Sequence, residues 1–95
     1  MRKVTINVTQ HDIDVARRQR NNEGESYWDV MLKCPVARAA ARIRALRDFR
    51  GAGYGAIYAF GSVIPTPVSV RAFMREFDAG RNVAPFHFTV NVPDE

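Results

Sequence analysis

The chain has a single cysteine, Cys34, in 95 residues. No disulfide can close within it, so a disulfide-stapled secreted scaffold is excluded. Residence in the cytoplasm is the expectation that follows. No apolar run approaches the roughly 20 residues that cross a bilayer. The opening Met1-Arg2-Lys3-Val4-Thr5 lacks the apolar stretch of a signal peptide, so no membrane partner is expected. Histidine is scarce: His11 and His87 are the only two. With one cysteine there is no paired-cysteine spacing for zinc. Neither a metal nor a cofactor is expected. The sequence also lacks internal repeats and low-complexity tracts.

What is present is globular material. Hydrophobic residues make up 46% and aromatics 11%, which suits a packed core rather than disorder. The length suits one domain over residues 1–95, with a thin stability margin. The formal net charge is +4, and arginine supplies most of the positive side. Arg17, Arg18 and Arg20 form one cluster, and Arg38, Arg42, Arg44, Arg47 and Arg50 another. A basic balance of this size favours anionic partners and also keeps a small protein from self-associating.

Periodicity places the elements. Val4, Ile6 and Val8 alternate with Thr5 and Asn7, a strand with one buried face. Thr9 is placed to cap a short helix over about 10–18, with Asp12 and Asp14 in its positive first turn. That helix has little apolar content and is expected on the surface. Residues 20–26 are polar and read as a loop. Tyr27, Trp28, Val30, Met31 and Leu32 form an apolar patch whose structure the sequence leaves open.

Pro35 fits a first helical turn, with Cys34 at the N-cap. Ala39, Ala40, Ile43 and Leu46 then make a stripe at about 100° per residue, and the helix is expected to run to a stop at Gly51. Gly51, Gly53 and Gly55 mark a turn into Ala56-Ile57-Tyr58-Ala59-Phe60, a central-strand composition. Gly61-Ser62 is a tight turn or a break. Val63-Ile64 is accordingly either a return strand or the end of the same strand with a bulge. Thr66 or Ser69 is expected to cap a second amphipathic helix. Its stripe is Val70, Phe73, Met74 and Phe77, with Gly80 as the stop. Phe86, Phe88, Val90 and Val92 alternate with His87, Thr89 and Asn91 in a last strand. The matched first and last strands are expected to share a sheet. The predicted fold is α+β: a three- to four-stranded sheet with two or three helices packed on one face.

Three stretches carry a resemblance. They are VTQHDID at Val8–Asp14, CPVARAA at Cys34–Ala40, and RAFMREFDAGRNVAPFHFTV at Arg71–Val90. Together they resemble a family of short uncharacterised proteins of bacteriophages and prophages. The likeness covers most of the chain except Arg17–Lys33 and Gly51–Ser62. The family's usual short link before the Cys-Pro element is expanded here into Arg17–Lys33. The resemblance brings no catalytic motif. It implies a phage accessory protein, working in the host cytoplasm by binding host machinery, defence systems included.

Each residue with chemical potential also has a plain structural role. Cys34 at a helix N-terminus would be a better nucleophile than a free thiol, but nucleophilic catalysis needs a base within reach, and both histidines are distant in sequence. A buried capping cysteine is the favoured reading. His11, Asp12 and Asp14 look like a metal or acid/base cluster, yet consecutive helical residues point apart, and the helix dipole accounts for first-turn acids. Gly51-Ala52-Gly53-Tyr54-Gly55 follows a helix and precedes a strand, the reverse of a phosphate loop. Arg38 and Arg42, one turn apart, with Arg44 on the other flank, could contact phosphates or simply be solvated. The Thr5/Asn7 and His87/Thr89/Asn91 faces could form a polar platform, an interface between copies, or a wet sheet face. Tyr27 and Trp28 suit a binding hot spot or a core.

The functional expectation is a non-enzymatic binding protein whose partner is a host protein, acting as a host-defence inhibitor. Its expected contact residues are Tyr27, Trp28, Arg38, Arg42 and Tyr54. The alternative is a nucleic-acid or nucleotide binder using the arginine-rich helix. A third possibility is an enzyme built on Cys34.

Overall fold

A computed structural model describes residues 2–19 and 33–93. The elements run β1 (Arg2–Val8), α1 (Gln10–Gln19), α2 (Pro35–Ala41), β2 (Gly51–Ala52), β3 (Ala56–Ala59), β4 (Ser62–Pro65), α3 (Val68–Asp78) and β5 (Phe86–Val92). The fold is α+β, as the patterning predicts. The strands divide between two sheets, a β1-β5 pair and a β2-β3-β4 meander. β4 lies beside β5 without a ladder between them. Among the described residues, no helix is long and apolar enough to cross a membrane.

The chain termini meet as their alternation requires. β1 and β5 are antiparallel, with Val4 opposite Val90 and Ile6 opposite Phe88. These side chains and Val8 and Val92 are buried, while Lys3, Thr5, Asn7, His87, Thr89 and Asn91 are exposed on the other face. That face is the open polar one, with Thr5 and Thr89 hydroxyls 3.4 Å apart. Val36, Ala37 and Ala40 of α2 and Ile13 and Ala16 of α1 are buried in the same core. Small side chains along α2 let its backbone approach β1 closely.

α3 supplies the rest of the core. Val70, Met74 and Phe77 are buried and Phe73 is half-buried, so the predicted stripe faces inward. Phe73 stacks against Phe77 at 6.5 Å and meets Phe86 of β5 at 4.5 Å, with Phe88 5.7 Å beyond. Stacked and tilted ring contacts of this kind add to simple burial. Arg17 of α1 lies 4.6 Å over the Phe77 ring and donates to the Arg81 carbonyl at 2.6 Å. A cation over a ring, and at a carbonyl just past the end of α3, ties the first helix to the last. Gly80 has φ +79°, the left-handed stop that glycine permits.

Three expectations change. The helix from Pro35 ends at Ala41 rather than running to Gly51. Residues 42–50 instead form turns with i→i−3 bonds from Arg42, Ile43 and Leu46, and Asp48 is left-handed at φ 52°. Leu46 is buried, and Ile43, Ala45 and Phe49 pack against the core. A straight helix would carry Phe49 off the inward stripe, so core packing overrides local propensity. Second, Gly51 is not a helix stop but a strand residue, and its φ of +148° is open to glycine. Third, neither Thr66 nor Ser69 caps α3. Pro67 holds the N-cap with no side-chain bond, and the Pro67 carbonyl accepts from Val70 at 3.0 Å. Of the two readings of Gly61-Ser62, the hairpin is the one formed: β3 and β4 pair across Phe60-Gly61. The Tyr27–Leu32 patch lies outside the described residues.

Candidate binding surface

Two of the five residues singled out by sequence, Tyr27 and Trp28, lie outside the described residues. The other three fall on different elements. Arg38 and Arg42 sit on and just after α2, and both turn to Asp12. Tyr54 lies in the β2–β3 turn, where its hydroxyl donates to the Asp78 carboxylate of α3.

Asp12 is the only fully buried charged side chain among the described residues. It closes a reciprocal cap: its N–H donates to Thr9 Oγ1 at 3.2 Å, and Thr9 N–H donates to its Oδ2 at 3.0 Å. This is the capping-box logic carried by an aspartate. The Thr9 hydroxyl adds a bond at 3.0 Å. Arg42 then grips both oxygens, donating to Oδ1 and to Oδ2 at 2.7 Å, and reaches the Asn7 carbonyl at 3.3 Å. Arg38 Nε stands 3.7 Å from Oδ1 and is buried without a hydrogen-bond partner. Burial works to raise the Asp12 carboxyl, but the Arg42 fork and the Thr9 donors hold it below its ordinary value. The arginine pair therefore turns toward Asp12 from the end of α2, joining β1, α1 and α2, while the Arg42 side chain stays 49% exposed.

Cys34 caps α2 as expected. Its Sγ accepts the Ala37 N–H at 3.4 Å, and the residue is 6% exposed. Burial pushes its thiol up to about 11, against the lowering bonds from Ala37 and Val36. Such a thiol holds little thiolate near neutrality.

A concave surface among the described residues lies elsewhere. A cleft of about 540 Å³ opens between the 42–50 turns and the β3–β4 hairpin, lined by Asp48, Arg50, Tyr58, Ala59, Gly61, Ser62 and Val63. Its geometry follows from strand register. Ala52, Ile57 and Ile64 align across the meander, and all three are buried. Directly opposite pairs share a face, so the neighbouring row Gly51-Tyr58-Val63 faces away from the core. Gly51 leaves Tyr58 unflanked on one side, and Val63 on the other is 63% exposed. Phe60 and Gly61 both have positive φ, 58° and 68°, as a two-residue I′ turn requires. A phenylalanine in that conformation is strained by roughly 1–2 kcal/mol. Phe60 N–H donates to the Arg47 carbonyl and Arg50 N–H to the Tyr58 carbonyl, each at 2.7 Å. These two bonds clamp the turns to the hairpin. At the rim, Arg50 Nε donates to Asp48 Oδ1 at 3.0 Å.

Sequence reasoning missed this cleft because the arginines from 44 to 50 read as the flank of a helix. The signal that could have found it was Phe60-Gly61, a two-residue turn with an atypical first residue. Among the described residues, no group of three or more His, Cys, Asp or Glu could hold a metal ion. No protein-family model, no curated protein and no solved structure matches the chain.

Proposed function

We propose that this chain is a phage-type accessory protein that acts by binding a host protein, with no reaction of its own, and that it serves as a host-defence inhibitor in the host cytoplasm. The observation that carries the binding reading is the braced cleft between the 42–50 turns and the β3–β4 hairpin. It combines an exposed valine, a half-buried tyrosine and a charged rim on a scaffold held by two short backbone bonds. Apolar anchors inside a polar rim are the usual anatomy of a binding patch. The phage context comes from the three resembling stretches. The nucleic-acid alternative loses ground because Arg38 and Arg42 converge on Asp12, and because α2 is only seven residues long.

The test is expression of the chain in a bacterium that carries a phage-defence system, with affinity capture from the same cells. A raised plating efficiency of a restricted phage, together with stoichiometric capture of one host protein, is the expected result. Unchanged plating and no captured protein above background would overturn the reading.

A further inference from the structure

We draw no further inference here: the strongest candidate, the N-terminus of α3, which no side chain caps and which carries Arg71 in its first turn and follows a Thr66 hydroxyl without a partner among the described residues, is a helix N-terminus alone, and the half-buried Thr66 side chain is not enclosed enough to point to a ligand.

Discussion

Asp12→Ala should loosen three joints at once. The substitution removes the acceptor for two Thr9 donors and for the Arg42 fork. Loss of a helix cap costs about 1 kcal/mol. Loss of charge-assisted bonds costs about 1.5–3 kcal/mol. The low end of that range applies, because the Arg42 side chain is 49% exposed and water can re-solvate it. The expected total is about 2–4 kcal/mol, out of the roughly 5–14 kcal/mol that a domain of this size holds. At about 4–8 °C per kcal/mol, the melting temperature should fall by about 8–32 °C. Urea denaturation of Asp12→Ala, Arg42→Ala and the double variant, followed by circular dichroism, measures this. Arg42→Ala alone should be comparably costly, because it strands a buried carboxylate. The double variant should therefore be less destabilised than the two singles added together, by about 0.5–3 kcal/mol. An Asp12→Ala protein within about 0.5 kcal/mol of the parent, or strict additivity, would refute the view that this cluster fastens β1 to both helices.

The same carboxylate sets a pH response. Its folded pKa is depressed, so its stabilisation is complete above the unfolded value of about 3.9 and is lost as pH falls through the lower folded value. Asp12→Asn should flatten the loss of stability below about pH 4, measured by denaturation across an acid series. Cys34, with its thiol at about 11, should react with a disulfide reagent at pH 8 about a hundredfold more slowly than in the urea-unfolded chain. Rates within threefold of each other would contradict its burial. Gly61→Ala should cost roughly 1–2 kcal/mol, seen as a lower urea midpoint. Nothing lies near the added methyl, so the cost is the positive φ itself. Tyr54→Phe should change stability by about 0.5 kcal/mol or less by the same assay, because its bond to Asp78 is exposed.

Elements with a complete local signal could be read directly. Val4-Ile6-Val8 and Phe88-Val90-Val92 alternate strictly, and they pair with each other. Val70, Met74 and Phe77 recur at helical spacing and are buried. Thr9 and Asp12 cap α1, and Cys34 caps α2, because capping chemistry is settled within four residues. The candidate site was less legible. Arg38 and Arg42 have the spacing of an open basic flank, and nothing nearby in sequence shows that both turn to a carboxylate that lies 30 residues before Arg42.

By itself, then, the sequence determined the kind of β1, α1, β3, α3 and β5, and which side of β1, α3 and β5 turns inward, because these follow from period and short-range hydrogen bonding. Tertiary structure alone decided three further things. It ended α2 at Ala41 so that Ile43, Leu46 and Phe49 could reach the core. It gathered two arginines onto Asp12. It set the 42–50 turns against the hairpin to open a cleft. Each of these depends on distant segments competing for the same buried volume and the same unpaired donors, and no local pattern encodes that competition.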